Sequence, residues 1–145
     1  MTTQQKPRIV IDTNLFINAT FAPSGASARI IRAVDAGKLE VLVSTAILQE
    51  YQQQLTPRYI QQRWREHPDI AATVRSAQSQ AVHVRPNVRI TASSDPADNK
   101  FLECAVSGEA DCVISSDDDL ASLATVQAVP IYRPGRFVQL YKSYV

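Results

Sequence analysis

Short apolar runs alternate along the chain with longer segments in which apolar residues recur every three or four positions. The runs predict strands at residues 8–11, 39–43, 82–84, 112–115 and 129–132, with 88–90 extending or following the third. The periodic segments predict helices at 26–36, 44–55, 57–67, 69–80, 118–123 and from 134 onwards, with a helix or turn over 14–20 and a further helix from about 94 to 108. This alternation favours an α/β fold with a central parallel sheet and helices on both faces.

Carboxylates occur where the predicted strands end. Asp12 directly follows the first strand, and Asp117 and Asp119 follow the strand at 112–115. Ligands of parallel sheets bind beyond the carboxyl ends of the strands, so these side chains are expected at one edge. Asp98 and Glu50 lie in the first turns of two helices, from which they can reach the same crevice.

Converging carboxylates repel one another and are costly to desolvate unless a cation joins them. A divalent metal is the simplest neutraliser, and metal-assisted phosphodiester hydrolysis is the chemistry that this arrangement favours. Each acid also has an ordinary interpretation, as a helix cap for Asp12 and Asp117 or as a favourable first-turn charge for Asp98. Asp95 is assigned to a helix cap. Glu103 is a reserve candidate that is expected on an exposed face.

The charge balance changes once these acids are assigned to one pocket. The chain has 14 acidic and 15 basic residues, and setting five acids aside leaves nine acids against the 15 bases. A basic exterior around an acidic pocket suits a polyanionic substrate. Residues 57–65 interleave arginines with aromatics, which suits a single nucleic-acid strand. The same segment also fits an amphipathic helix that buries Ile60 and Trp64.

Length and composition narrow the remaining possibilities. A chain of 145 residues predicts one domain, spanning 1–145. No apolar run approaches the roughly 20 residues of a membrane span, and the polar residues 1–7 show no secretory signal, so a cytoplasmic protein without membrane contact is expected. Cys104 and Cys112 are predicted to be buried, reduced thiols.

Four pieces of the chain together resemble a PIN domain. They are Ile11-Asp12-Thr13-Asn14, Glu50 on the helix after the second strand, the segment 95–105 (Asp-Pro-Ala-Asp-Asn-Lys-Phe-Leu-Glu-Cys-Ala) and the segment 113–120. The third and fourth pieces are specific, and they resemble the single-domain bacterial and archaeal subfamily described as toxins of toxin–antitoxin systems.

This resemblance implies a Rossmann-like α/β/α sandwich and a magnesium- or manganese-dependent endoribonuclease acting on RNA. The catalytic acids of the family fall on Asp12, Glu50, Asp98 and Asp117, and the metal ligands on Asp12, Asp98, Asp117 and the additional acid Asp119. Many members of the family form dimers and are inhibited by a small antitoxin protein. The oligomeric state stays open at this stage, and the apolar segment 137–145 is a candidate surface for a homodimer.

Three alternatives remain open. A haloacid-dehalogenase-type phosphatase requires an Asp two residues after its nucleophile, and position 14 is Asn. A Toprim-like phosphotransfer domain also uses Asp-x-Asp after a strand, but it requires an early Glu where this chain has Asp12. The third alternative is a non-catalytic RNA- or partner-binding scaffold, which the retained acids disfavour.

Overall fold

A computed structural model describes residues 5–145 of the chain. The strands are β1 (Arg8–Ile11), β2 (Glu40–Val43), β3 (Val82–His83), β4 (Cys112–Ile114), β5 (Thr125–Val126) and β6 (Val129–Tyr132). The helices are α1 (Asn14–Phe21), α2 (Ala26–Asp35), α3 (Thr45–Leu55), α4 (Arg58–Glu66), α5 (Pro68–Ser79), α6 (Asn99–Ser107), α7 (Asp118–Ala121) and α8 (Pro134–Leu140), and a 3-10 turn (Pro96–Asp98) precedes α6.

The strands form one six-stranded sheet in the order β3-β2-β1-β4-β6-β5. Five of them are parallel, which confirms the predicted α/β architecture, and β5 pairs antiparallel with β6. The apolar pattern does not predict β5. The turn into β6 places Gln127 and Ala128 at positive φ, a conformation usually signalled by Asn-Gly or Asp-Gly, and neither dipeptide occurs there.

The strand order explains why helices cover both faces. The chain moves outward from β1 to β2 and β3, and then crosses to β4 and β6 on the other side of β1. Right-handed crossovers in opposite directions place their helices on opposite faces of the sheet. Accordingly α1, α2, α4 and α5 pack with one another, whereas α6 packs on β1, β2 and β4. The reversal occurs between β1 and β4, whose carboxyl ends therefore form the crevice of the fold.

The core lies between the sheet and these helices. The side chains of β1 after Arg8 and all of β4 are fully buried, as expected for the central strands of a parallel sheet. Ile60 and Trp64 are buried as the amphipathic interpretation of α4 predicted. Gly37 ends the turn after α2 at φ +76°, a conformation that a side chain disfavours.

One predicted strand is wrong. Residues 88–90 form neither a strand nor an extension of β3. The backbone N–H of Ile90 donates to Glu103 Oε2 at 2.9 Å, and that of Asn87 donates to Ser107 Oγ at 2.9 Å. Side chains of α6 thus bind the donors that a neighbouring strand would otherwise bind. Glu103 is partly buried by this contact rather than fully exposed.

The helix cap at Ser44 and the two cysteines agree with the sequence predictions. Ser44 caps α3, accepting a hydrogen bond from the Ile47 N–H, and Cys104 and Cys112 are buried free thiols, as predicted. Within residues 5–145, no helix combines the length and apolar character needed to cross a membrane. The expectation about a secretory signal rests partly on residues 1–4, which lie outside the described residues.

Candidate active site

Asp12 and Ser115 occupy equivalent positions at the ends of the two central strands. β1 and β4 pair in parallel with Ile11 opposite Ile114, so the next residue of each strand enters the crevice. The Asp12 N–H continues the ladder by donating to the Ile114 carbonyl at 3.0 Å. The Ser115 hydroxyl donates to Asp12 Oδ2 at 2.6 Å. Burial raises the pKa of Asp12, the Ser115 hydrogen bond opposes that rise, and the charges of Asp117 and Glu50 add to it.

Asp117 is oriented by the same serine. Its backbone N–H donates to Ser115 Oγ at 3.0 Å, and its Oδ1 accepts the Asp119 N–H at 3.0 Å. Asp117 is therefore the N-cap of α7, which was one of the two interpretations of this residue. Capping uses Oδ1, and the charge of Asp117 still acts on both Asp12 and Asp98. The cap thus fixes the carboxylate beside the other acids.

Asp98 is the most unusual carboxylate of the described residues. It ends the 3-10 turn before α6 and is only 7% exposed. Its Oδ2 atom is buried and has no hydrogen-bond partner within residues 5–145. Burial, followed by the charges of Asp117 and Asp12, raises the pKa of Asp98 from 3.8 to about 7. A buried acceptor without a donor is costly, which indicates a position meant for a cation or a proton.

Glu50 is held on both of its oxygens. The Thr13 hydroxyl donates to Oε2, and Lys100 Nζ lies 2.7 Å from Oε1. Both partners of this ion pair are mostly shielded from solvent. Glu50 therefore fixes the loop after β1 to the start of α6, and its charge is already matched by Lys100. In this arrangement its oxygens are less available to a metal than those of Asp98.

A second group of acids adjoins Asp98. One carboxylate oxygen from each of Asp95, Asp98 and Asp119 lies within 4.8 Å of the others. Asp95 caps the 3-10 turn as the sequence indicated, with Oδ1 accepting the Ala97 N–H at 3.0 Å. Asp119 Oδ1 accepts from the Ser94 hydroxyl at 3.1 Å. Asp98 is thus shared between this exposed group and the buried carboxylates at the strand ends.

Four of the predicted acids thus lie near one another: the charges of Asp117 and Glu50 raise the pKa of Asp12, and those of Asp117, Asp12 and Glu50 help to raise the pKa of Asp98. Asp119 lies beside Asp98 and Asp95, on the exposed side of the site. The sequence pattern indicates no role for Lys100 and only a helix cap for Asp95. Lys100 follows Asp98 by two residues, and a basic residue within an acidic helix start was the available signal.

The acidic site lies within a segment that is similar to a known protein family. A model of the PIN domain family matches residues 8–119, which include every acid described above. The chain belongs to the PIN domain family. This PIN domain is 30% identical over 118 residues to the uncharacterized protein MJ1680 of Methanocaldococcus jannaschii, covering 81% of this chain and 76% of that protein.

A solved structure agrees with the fold of this PIN domain. It is VapBC2 from Rickettsia felis, which was crystallised bound to a DNA fragment from its promoter. The TM-score is 0.56 with 9% sequence identity, and the match covers 87% of this chain and 98% of the other. At that identity the likeness supports the α/β PIN-like fold.

Proposed function

We propose that this PIN domain is a metal-dependent endoribonuclease that hydrolyses RNA phosphodiester bonds at the Asp12–Asp98–Asp117 site. The observation that carries the proposal is the buried Asp98 Oδ2 atom, which lacks a hydrogen-bond donor among the described residues, in a side chain that is subject to the charges of three further aspartates and Glu50. Folding gains nothing from such an atom, because desolvated like charges destabilise the folded chain. A bound cation removes both costs.

The donors present fit Mg²⁺ or Mn²⁺. Both ions favour carboxylate oxygens and water, and the described site contains carboxylates and hydroxyls without a histidine or cysteine partner set. Asp12, Asp98 and Asp117 would hold the ion, with Asp119 on the exposed side. When bound, the ion would lower the pKa of a water molecule and stabilise charge on the phosphate oxygens.

The chain's own residues supply the positioning. Ser115 holds the Asp12 carboxylate and the Asp117 backbone N–H, and the Asp119 N–H holds the Asp117 carboxylate, so hydrogen bonds orient both side chains. Glu50 ties Thr13 to Lys100 and holds the two sides of the crevice at a fixed separation. One carboxylate orients the attacking water. A bond forms between the water oxygen and phosphorus, and the bond between phosphorus and the ribose 3′ oxygen breaks. A proton of the water passes to the ribose 3′ oxygen, and the phosphate stays on the 5′ side.

A partner protein forms part of the proposal. The family resemblance implies a small antitoxin, and the structural neighbour is a VapBC2 assembly. We also propose that the chain is a single cytoplasmic domain, in keeping with the fold described for residues 5–145. A homodimer through residues 137–145 receives less support, because Phe137 is fully buried and Tyr141 and Tyr144 pack against the chain's own core. Leu140 remains exposed there.

Cleavage of a labelled single-stranded RNA of mixed sequence in Mn²⁺ tests the activity. Asp12→Asn and Asp117→Asn are expected to fold and to lower the rate at least ~100-fold, since each removes a proposed metal ligand. Asp69→Asn changes an exposed aspartate in the first turn of α5 and serves as the matched control, with an unchanged rate. Undiminished cleavage by both site variants would refute the proposal.

Calorimetric titration with Mn²⁺ separates the nuclease from a non-catalytic scaffold. Wild-type protein is expected to bind the ion, and Asp98→Ala is expected to lose that binding, because Asp98 Oδ2 has no other partner within residues 5–145. A scaffold with a degenerate site would show no carboxylate-dependent binding. The Toprim-like and dehalogenase alternatives receive no support from the family assignment.

A further inference from the structure

We propose that Phe21 and Tyr59 form a platform on which bases of a single-stranded RNA stack as the strand leaves the active site. This inference rests on the proposed function, since it supplies the substrate path for the same site. The platform consists of these two rings and Arg63. It lies where the end of α1 meets the start of α4.

The two rings are exposed although they belong to well-packed helices. Phe21 is 46% and Tyr59 58% exposed, and their centroids lie 6.0 Å apart with an interplanar angle of 26°. Exposed aromatic rings in a stacked pair present apolar faces to water at a cost that a stacked base would remove. The next residue of α4, Ile60, is fully buried, so the helix packs on the core while the Tyr59 ring stays exposed.

Arg63 is held in place beside these rings. Its guanidinium carbon lies 5.8 Å from the Phe21 ring centroid, and its Nε donates to the Thr20 carbonyl at 3.3 Å. The neighbouring Trp64 indole donates to Thr20 Oγ1 at 3.1 Å, which fixes the same junction from the buried side. A cation fixed next to an aromatic pair is suited to a phosphate or to a stacked base.

The platform is continuous with the active site along α1. Asn14, Asn18 and Phe21 are exposed and are spaced by four and three residues, so they form one stripe of the helix. The stripe starts two residues after Asp12, and Asn18 Nδ2 donates to Ser116 Oγ at 3.2 Å, beside Asp117. Seven residues of helix span about 10 Å. One extended strand can therefore contact both places.

The residues that border the platform suit the negatively charged phosphates of RNA. Residues 13–34 and 51–65 contain no Asp or Glu, and the second range carries Arg58, Arg63 and Arg65. The two stretches that carry the rings thus contain no acid, and the nearest acid along α4 is the exposed Glu66, which accepts from Gln62 Nε2 at 3.5 Å. Phosphates leaving the site meet donors, while the rings accept bases without regard to sequence.

Binding of a fluorescein-labelled single-stranded RNA, measured by anisotropy in EDTA, tests the platform without requiring catalysis. Tyr59→Leu and Phe21→Leu keep an apolar side chain but remove the ring, and each is expected to weaken binding at least about fivefold, the lower range for loss of one base stack. Tyr59→Trp is expected to retain or improve binding. Leu140→Ala, at an exposed apolar residue of α8, is the control with unchanged affinity.

The outcomes separate the two proposals. Leucine variants that bind the RNA as wild type does, or a wild type that binds none, overturn the platform, and apolar docking of a protein partner then becomes the better account of this surface. If wild type also cleaves RNA in Mn²⁺, the nuclease proposal stands without the platform. Weaker binding by both leucine variants, in a protein that fails to cleave, supports the platform and refutes the nuclease.

Discussion

Ser115 donates its hydroxyl hydrogen to Asp12 Oδ2 at 2.6 Å across 103 positions of the chain. Ser115 Oγ also accepts the backbone N–H of Asp117 at 3.0 Å. One fully buried hydroxyl thus orients two acids of the candidate site, and its position follows from the parallel register of β1 and β4.

Replacing Ser115 by alanine should therefore affect both stability and activity. Ser115→Ala leaves a buried carboxylate oxygen and a partly buried N–H without their partner, which should lower the free energy of unfolding by about 1–3 kcal/mol. It should also raise the pKa of Asp12 further, since this hydrogen bond lowers it. Urea denaturation and the cleavage rate measure the two effects. Ser116→Ala is the control, and equal effects at both positions would contradict the assigned role.

The Lys100–Glu50 ion pair should be strongly coupled. A double-mutant cycle of Glu50→Gln and Lys100→Met is expected to give an interaction energy of about 1–3 kcal/mol, because both groups are shielded from solvent. The Arg8–Glu40 pair, at 3.0 Å and more exposed, is the matched comparison and should give less than about 1 kcal/mol. Similar coupling in the two pairs would show that Glu50 has no special position.

Asp98 should make the metal-free protein less stable as pH rises. Its pKa is about 7 in the folded chain and near the ordinary 3.8 when unfolded, so the folded state retains the proton more strongly. This contribution to stability is fully present below about pH 4 and is lost as pH rises through about 7. In EDTA, Asp98→Asn should remove this loss and be more stable than wild type near pH 8. Thermal unfolding at several pH values measures it, and parallel curves for the two proteins would contradict it.

Glu103 should control the segment that precedes the 3-10 turn. Glu103→Ala removes the acceptor of the Ile90 N–H, and amide exchange at Ile90 should accelerate at least about tenfold, as expected when a hydrogen bond to a charged group is lost. Glu103→Gln keeps an acceptor oxygen and should restore most of the protection. Hydrogen exchange followed by NMR distinguishes the variants, and unchanged exchange in the alanine variant would contradict this role.

Strand periodicity and the rule for parallel sheets were sufficient to predict where Asp12 and Asp117 would lie, because their positions depend on the end of an apolar run. The partly buried role of Glu103 could not be predicted in the same way. Its partner is the backbone of residues 88–90, a short apolar segment with the composition of a strand and with no neighbouring strand to pair with.

The role of Glu50 depends on tertiary structure even more than that of Glu103 does. Its two partners, Thr13 and Lys100, are 37 and 50 residues away, and no local pattern connects them. The missing donor of Asp98 Oδ2 is likewise invisible in the sequence, because a first-turn aspartate is ordinarily solvated. The sequence thus named these acids as candidates, and only three-dimensional packing distinguishes Asp98, whose Oδ2 atom has no partner within residues 5–145, from Glu50, whose charge is matched by Lys100.

The short edge strands of the sheet restrict how two copies of the chain can associate. Both outermost strands, β3 and β5, are only two residues long, and Arg85 and Pro86 follow the first of them closely. Edge strands this short expose too few unpaired backbone amides and carbonyls to pair with a strand of another molecule, which protects against amyloid-type aggregation. Any self-association of this protein should consequently use helix surfaces, leaving the strand ends that carry the acids free.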